Sequence, residues 1–260
     1  MKHRQAHRGP RPPRGLDAVF GVHAVQALLK QENAAKVLWV QEGHAEKRLQ
    51  ELIDDAIRQG MSVEHFSRDV LDAQANGGSH QGVVAFCVPL IAESEETLMW
   101  RLESWQAAVS PLLLVLDSVT DPHNFGACLR SADAAGVHGV IVAKDKSAPL
   151  NATVRKVACG AAETVPVYQV TNLVRTLARL KEMGVWIAGA AGEAEQSIYD
   201  IDLRVASALV MGAEGKGLRR LTREACDMLV KLPMAGSVSS LNVSVATGIC
   251  LFEAVRQRQS

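Results

Sequence analysis

The feature that most limits the possible folds of this sequence is a series of short apolar runs, separated by helical patterns, that begins at residue 112. Residues 112–116 (LLLVL) are all apolar, which is typical of a strand buried on both faces of a parallel sheet. Further strands are predicted at residues 137–143, 165–170, 185–191, 208–211 and 228–232. Because helical patterns separate most of these strands, we expect an α/β domain with a largely parallel sheet over residues 111–260.

A smaller α/β module is predicted before it, over residues 15–90. Its elements are helices at 21–30, 45–59 and 68–75 and strands at 36–40, 61–66 and 82–88. The module contains no residue that suggests a nucleophile with its base, so its predicted task is binding. His80 and Gln81, before the last strand, are interpreted as turn residues. Residues 91–110 are first acidic and then amphipathic, which indicates a linker that ends in a docked helix.

The first fourteen residues form a basic, proline-containing arm that we predict to be disordered. The arm has no acidic residue, and its charges are Lys2, Arg4, Arg8, Arg11 and Arg14. It could bind phosphate groups of a nucleic acid, or it could have no partner, and the sequence leaves both possibilities open.

Composition excludes several classes of protein. No apolar run approaches the ~20 residues that a membrane span needs, and the N-terminus lacks the apolar core of a secretory signal. The five cysteines are scattered, without a C-x-x-C pair, and we interpret all five as core residues. We therefore expect a cytoplasmic protein with reduced thiols, no disulfide framework, no metal site and no membrane partner.

Polar segments follow three of the strands predicted for the larger domain. They are residues 117–123, residues 212–217 (GAEGKG) and residues 233–242. Ligands of parallel α/β sheets bind beyond the carboxyl ends of the strands, so we expect these segments to converge on one site. The glycines of 212–217 either let the backbone approach a ligand or form a tight turn. The segment matches neither a P-loop nor a dinucleotide-binding fingerprint.

Residues 232–255 combine a polar loop with a predicted final helix. Apolar residues recur at helical spacing and predict one buried stripe, formed by Leu241, Val245, Ile249 and Phe252. Ser239 or Ser240 is predicted to cap this helix, and Asn124 is predicted to cap the helix after residue 123. From these residues alone, a capped helix behind a loop and a polar binding or catalytic site explain the stretch equally well.

Three segments together resemble the SpoU branch of the SPOUT RNA methyltransferases. They are residues 124–132 (NFGACLRSA), 208–218 (ALVMGAEGKGL) and 232–246 (LPMAGSVSSLNVSVA). Their order and separation match the family, and the third segment is long and specific. Residues 21–25 (GVHAV) and 80–85 (HQGVVA) resemble the substrate-binding domain of the same enzymes, which is related to ribosomal protein L30e. The whole chain is most similar to the members of the branch that methylate 23S rRNA.

The resemblance implies a trefoil knot in residues 111–260, with S-adenosylmethionine bound in the knotted loops, and an L30e-like RNA-binding domain in residues 15–90. The residue pattern alone predicts an open sheet, because protein chains rarely knot. The resemblance further implies a homodimer whose active site is completed across the interface. The implied reaction is 2′-O-methylation of a guanosine in the peptidyl-transferase centre region of 23S rRNA, either free or in a large-subunit assembly intermediate.

The resemblance also implies roles for ten residues. The polar active-site set is Asn124, Arg130, Glu214, Ser240 and Asn242. The methyl donor would be held by Gly212, Leu232 and Leu241, with Met234 and Ala190 completing the wall. An arginine has been proposed in this family to deprotonate the ribose hydroxyl. A guanidinium stays charged at neutral pH, so we interpret Arg130 as a phosphate anchor and a stabiliser of the developing 2′-oxyanion.

Two rival functions are open at this point. One is a tRNA 2′-O-methyltransferase of the same branch, and the other is a non-catalytic RNA-binding factor of ribosome assembly. The module at residues 15–90 favours rRNA over tRNA. The intact set of Asn124, Arg130, Glu214 and Asn242 argues against a non-catalytic factor.

Overall fold

The structure is a computed structural model of the 260-residue chain, and it describes residues 10–30, 35–43, 46–75 and 77–259. Most of the basic arm predicted at residues 1–14 lies outside the described residues. The chain divides into two compact units, with the division between Leu90 and Ile91. No helix of the described ranges is both long enough and apolar enough to cross a membrane.

The first unit is a four-stranded mixed sheet with helices packed against it. Its elements are β1 (Asp17–Phe20), α1 (Val22–Leu29), β2 (Ala35–Gln41), α2 (Lys47–Arg58), β3 (Ser62–Phe66), α3 (Arg68–Ala75) and β4 (Val83–Cys87). The strand order is β1-β4-β2-β3, in which β2 and β3 are parallel and β4 is antiparallel to both neighbours. The predicted helices and strands are confirmed, and β1 is an additional strand.

His80 and Gln81 hold the turn before β4 together. His80 is buried, and its Nε2 lies 3.1 Å from Asp72 Oδ1, while its Nδ1 accepts a hydrogen bond from the Gly82 backbone N–H at 3.0 Å. Gln81 adopts a left-handed backbone conformation, and its Oε1 accepts the Val22 N–H at the start of α1 at 3.0 Å. Both side chains are engaged within the unit, which confirms their interpretation as turn residues.

The second unit is built on a seven-stranded sheet. Its strands are β5 (Leu112–Asp117), β6 (Gly139–Ala143), β7 (Val167–Val170), β8 (Trp186–Ala190), β9 (Gln196–Ser197), β10 (Ser207–Gly212) and β11 (Met228–Lys231). The order is β7-β6-β5-β10-β8-β11-β9, and all neighbouring pairs are parallel. The predicted parallel sheet is confirmed. The pattern did not predict the two-residue edge strand β9.

The helices of the second unit are α4 (Glu95–Gln106), α5 (Pro122–Ala134), α6 (Ala152–Ala158), α7 (Ala161–Thr164), α8 (Leu173–Glu182), α9 (Arg220–Glu224) and α10 (Val243–Arg258). The helix predicted within residues 91–110 is α4. Leu98 and Leu102 of α4 are buried in the hydrophobic core of the unit, and its Glu95 pairs with Arg179 of α8. Residues 91–110, predicted as a linker, therefore belong to the second unit in the structure.

The helix after residue 123 begins earlier than predicted. Asp121 is the N-cap of α5, and its carboxylate accepts the backbone N–H groups of His123 and Asn124 at 3.1 and 3.4 Å. Pro122 follows at the first helical position, where the absence of an N–H costs nothing. The prediction that Asn124 caps this helix is therefore wrong. Because Asp121 satisfies the helix end, the Asn124 side chain is available for other contacts.

The cap predicted for the last helix is also wrong. Asn242 caps α10 by accepting the Ser244 backbone N–H at 2.8 Å, and Ser239 and Ser240 lie in the exposed loop before it. The predicted apolar stripe is not buried either. Val245 is 51% exposed and Phe252 is 50% exposed. The inward face of α10 packs on α5 instead, and it is formed by Val243, Thr247, Cys250, Leu251 and Ala254.

The cysteines differ in their surroundings. Cys87, Cys128 and Cys250 are buried, as predicted for core residues. Cys226 is partly buried and packs against the core of the second unit, whereas Cys159 is exposed, so the interpretation as a core residue is wrong for Cys159. Cys159 is the C-cap of α6 and has a left-handed backbone conformation, with φ of 52°.

Candidate active site

Polar loops meet at the carboxyl ends of the strands of the seven-stranded sheet, as the strand pattern predicted. We call this side of the sheet its carboxyl edge, and the side where the strands begin its amino edge. β5 and β10 are neighbours at the carboxyl edge, with Asp117 directly opposite Gly212. The chain runs outward in one direction from β5 to β6 and β7, while β10 and β8 lie on the other side of β5. Such a switch in strand order leaves a crevice beyond the strand ends, where ligands of open α/β sheets bind.

A cleft of about 390 Å³ lies at this edge. Its walls come from the end of β8, the glycine loop after β10 and the loop that leads into α10. The five residues that the family resemblance assigned to the methyl donor all line it, namely Ala190, Gly212, Leu232, Met234 and Leu241. Glu214 and Ser240 line the same cleft. The structure thus brings seven of the ten implied residues to one cavity.

Residues 213–217, which we call the glycine loop, form a tight turn. The Gly217 N–H donates to the Ala213 carbonyl at 2.8 Å, and Gly217 has φ of 64°. A Cβ on Gly212 would lie 2.2 Å from the carbonyl carbon of Gly217. No side chain fits at this distance, so glycine at 212 is required for the turn to close. Of the two readings left open by the sequence, the tight turn is confirmed.

Three side chains from distant parts of the chain form a hydrogen-bonded cluster, the Asn–Glu–Asn cluster of Asn124, Glu214 and Asn242. Asn242 Nδ2 donates to Asn124 Oδ1 at 2.9 Å and to Glu214 Oε1 at 3.0 Å. Asn124 Nδ2 donates to Glu214 Oε2 at 3.3 Å. The cluster joins the first turn of α5, the glycine loop and the cap of α10.

The amide of Asn242 has a fixed orientation. Its Oδ1 accepts both the backbone N–H and the hydroxyl of Ser244, at 2.8 and 2.6 Å. An amide oxygen that faces two donors leaves the amide nitrogen to face the acceptors, which here are Glu214 and Asn124. Asn242 is therefore both the cap of α10 and the centre of the cluster.

Arg130 lies apart from the cluster. It is exposed on α5, and its Nη1 donates to Cys159 Sγ at 3.6 Å. Within the described ranges, no hydrogen bond joins Arg130 to Asn124, Glu214 or Asn242. Glu214 therefore orients the two asparagines and does not orient Arg130. The guanidinium remains exposed, as a contact to an incoming phosphate group requires.

The chemistry of the cleft excludes a thiol nucleophile. Cys250 lines the cleft, and burial raises the pKa of its thiol to about 12, so it is neutral at physiological pH. Among the described residues, no group of three or more His, Cys, Asp or Glu side chains could hold a metal ion. The cleft instead offers backbone groups, apolar walls and charged side chains, and among these Glu214 is the one that belongs to the Asn–Glu–Asn cluster.

Comparison with known proteins identifies the family. The model of the SpoU rRNA Methylase family matches residues 111–252, and the model of the RNA 2′-O ribose methyltransferase substrate binding domain matches residues 18–91. This chain belongs to the SpoU rRNA methylase family. The family assignment agrees with the three segments that carry the cleft and the cluster.

Individual relatives cover nearly the whole chain. The 23S rRNA (guanosine-2′-O-)-methyltransferase RlmB of Shewanella oneidensis is 57% identical over 248 residues, which are 94% of this chain and 98% of that protein. The protein of the same name from Escherichia coli K12 is 55% identical over 243 residues, or 93% and 99% of the two chains. Among solved structures, the SpoU methyltransferase AviRb from Streptomyces viridochromogenes in complex with AdoMet is 26% identical, with a TM-score of 0.76 over 96% of this chain and 95% of that chain.

The cleft of this SpoU methylase has the properties that S-adenosylmethionine requires. Its volume lies within the range of small-molecule sites, which is about 300–1,000 Å³. Leu232, Met234 and Leu241 are apolar lining residues that could hold a nucleobase. The glycine loop exposes backbone groups that can hydrogen-bond the polar parts of the ligand, and Glu214 is an anionic partner for a cationic centre.

Sequence reasoning assigned no role to several residues of this SpoU methylase that shape the site. Glu193 and Arg223 line the cleft and form an ion pair with each other. Gly192 also lines the cleft. It could have been predicted from the sequence, because it comes just after a strand, as the glycine loop does. Asp117, the one acid at the end of an otherwise apolar strand, is completely buried beneath the loops.

Proposed function

We propose that this protein transfers a methyl group from S-adenosylmethionine to the 2′-oxygen of a guanosine in 23S rRNA, in the region of the peptidyl-transferase centre. The observation that carries the proposal is the Asn–Glu–Asn cluster at a cleft lined by all five of the implied cofactor residues. The high identity to RlmB proteins across the whole chain supports the choice of substrate.

The residues of the site act by positioning and by electrostatics. When S-adenosylmethionine is bound, it supplies a methyl group already activated by the positive sulfur. The Glu214 carboxylate, held by two amide groups, can accept a hydrogen bond from the 2′-hydroxyl and so direct the oxygen towards the cleft. Arg130 stays charged, anchors the neighbouring phosphate and stabilises negative charge that develops on the oxygen.

The first unit binds the RNA substrate, either as free 23S rRNA or within a large-subunit assembly intermediate. The match of residues 18–91 to the substrate-binding family model supports this role. The aromatic content is 4%, which suits contacts to ribose and phosphate better than stacking on single-stranded bases. The reaction takes place in the cytoplasm, where the rRNA is assembled into ribosomes.

The protein acts as a homodimer, and its second unit contains a trefoil knot around the cofactor loops. The half-exposed residues Val245 and Phe252 support the dimer, since they form an apolar stripe on α10 that the described part of the chain does not cover. The knot is supported by membership of the SpoU family. The homodimer would complete the active site with groups from the second protomer.

A methylation assay tests the proposed reaction. The purified protein is given S-adenosylmethionine labelled in the methyl group, with total rRNA or total tRNA from cells that lack it. We expect label in 23S rRNA that survives alkaline hydrolysis within a resistant dinucleotide, because a methylated 2′-oxygen cannot attack the adjacent phosphate. Label in tRNA alone would show that tRNA, and not rRNA, is the substrate. RNA binding without any label would indicate a non-catalytic factor.

A further inference from the structure

Asp117, at the end of β5, is a carboxylate that the proposed chemistry does not use. It is completely buried. An ionised carboxylate is costly to bury unless hydrogen bonds and an opposite charge compensate it. Three donors do so here: the Arg219 backbone N–H at 2.9 Å, Arg219 Nε at 2.5 Å and the Ser118 hydroxyl at 3.2 Å.

These bonds connect two segments that carry the active site. Arg219 lies two residues beyond the glycine loop, so its bonds to Asp117 fix the point where this loop returns to the sheet. The loop leaves β10 at Gly212, the residue paired with Asp117 across the two strands. The loop is therefore held at both ends next to one carboxylate, with Glu214 at its exposed tip.

The same carboxylate holds the start of the segment that leads to Asn124. Ser118, bonded to Asp117, has a left-handed backbone with φ of 66°, which is uncommon for a residue with a side chain. The chain turns sharply there and reaches the cap of α5 three residues later. One buried group thus lies at the base of both the glycine loop and the approach to α5.

We propose that Asp117 is a positioning residue, which sets the distance between Glu214 and Asn124 and holds the glycine-loop wall of the cleft in its binding shape. It is absent from the residues that line the cleft, and it makes no hydrogen bond to the Asn–Glu–Asn cluster within the described ranges. Its effect on the reaction passes through Arg219 and Ser118. The inference rests on the proposed function, because the cleft is assigned to S-adenosylmethionine there.

The chain contains a matched control for this role at the amino edge of the sheet, where the strands begin. Asp227, just before β11, accepts the Ile187 backbone N–H at 2.9 Å and pairs with Lys181 Nζ at 3.0 Å. Like Asp117, it combines one backbone donor with one cationic side chain. It differs in place, because it lies at the amino ends of the strands, away from the glycine loop.

The test compares Asp117→Asn with Asp227→Asn. The new amide at 117 keeps the volume but turns a donor towards the donors of Arg219, so at least one bond is lost. For each folded variant, calorimetry gives the Kd for S-adenosylmethionine, and steady-state assays give kcat and the KM for rRNA. We expect Asp117→Asn to raise the cofactor Kd by about 10- to 100-fold and to lower kcat, with the KM for rRNA unchanged.

Asp227→Asn should lower the melting temperature and leave the cofactor Kd and kcat within about twofold of the wild type. Arg219→Gln, which keeps the backbone bond and one amide donor, should give a cofactor Kd between those of the wild type and Asp117→Asn. An unchanged cofactor Kd and kcat in folded Asp117→Asn, or equal losses in both aspartate variants, would overturn the inference. A wild-type protein that does not bind S-adenosylmethionine would instead refute the proposed function itself.

Discussion

The two edges of the seven-stranded sheet use polar side chains in different ways. At the carboxyl edge, Asn124, Glu214 and Asn242 bond to one another beside a cleft. At the amino edge, the acceptors of Arg258 within the described ranges are all main-chain carbonyl groups, those of Ser110, Pro111, Leu203 and Val205. Polar groups that bond to the backbone hold the fold together. Polar side chains that lie together at an open cleft, with few backbone partners, can hydrogen-bond a ligand there.

One helix serves both edges. Asn242 caps the beginning of α10 at the carboxyl edge, and Arg258 is the last residue of the same helix at the amino edge. Sixteen residues of α-helix span about 24 Å. The two sites therefore lie on the same helix but are too far apart to contact each other. Substitutions along α10 and its partners should therefore separate activity, stability and association.

The largest expected effect is at the carboxyl edge. Glu214→Gln keeps the size of the side chain, but it places an amide donor opposite the donors of Asn124 and Asn242. We expect kcat to fall by about 10²- to 10³-fold while the melting temperature stays within roughly 2 °C. Steady-state kinetics and calorimetry on the same samples measure the two quantities.

Glu224→Gln on α9 is the matched control, because Glu224 is an exposed acid whose partner is Arg220, one helical turn away on the same element. It should leave kcat unchanged. Normal turnover in Glu214→Gln would show that the cluster has no part in the reaction and would remove the contrast between the edges.

A smaller effect is expected at the amino edge, and on a different quantity. Arg258→Met keeps much of the apolar stem but leaves several carbonyl groups without their charged donor. We expect the free energy of unfolding to fall by about 2–3 kcal/mol, with a melting temperature lower by roughly 5–10 °C. The kcat of the folded enzyme at 25 °C should not change.

Arg256→Met provides the comparison two residues earlier, where the side chain is exposed and pairs with Glu253. Glu253 is buried, but its carboxylate keeps the hydrogen bond from Gln257 Nε2 at 2.8 Å when Arg256 is lost, so this variant should lower the melting temperature less than Arg258→Met. A loss of activity in Arg258→Met without a change in melting temperature would contradict the division of roles.

The smallest effect is expected between the two ends of α10. Phe252→Ser removes apolar surface from the exposed stripe, so the proposed homodimer should dissociate at protein concentrations about tenfold or more higher than for the wild type. Analytical ultracentrifugation over a dilution series measures this shift. Ile57→Ser on α2, at a similarly exposed apolar residue in the first unit, should leave association unchanged. A wild-type protein that sediments as a monomer throughout would refute the dimer.

The sequence predicted the arrangement of the site better than its details. The parallel sheet followed from the apolar runs, and the convergence of the loops followed from the position of each loop after a strand. The cap of α5 could have been found, because Asp121 before Pro122 is a stronger helix start than Asn124. The family resemblance placed Asn242 in the active-site set, but the residue pattern could not show its contacts, because they join residues 118 and 28 positions away.

The residue pattern could not predict two other features, the exposure of one face of α10 and the contact between Asp117 and Arg219. Helical spacing shows that Val245 and Phe252 share a face, but it does not show whether that face is covered by the same chain. The bond between Asp117 and Arg219 joins residues 102 positions apart and depends on β10 lying next to β5. Alternation of strands and helices predicts a parallel sheet without fixing the order of its strands, so it could not predict this contact.

The exposed Cys159 at the end of α6 gives the protein a natural attachment point for a spectroscopic label. Thiol reagents react with the thiolate, and burial raises the pKa of Cys128 and Cys226 to about 11 and of Cys250 to about 12, while Cys87 is completely buried. A maleimide dye should therefore select the exposed Cys159 without any engineered substitution. Because the Cys159 sulfur contacts the Arg130 guanidinium, the emission of such a dye would report the arrival of a phosphate group at Arg130 in real time.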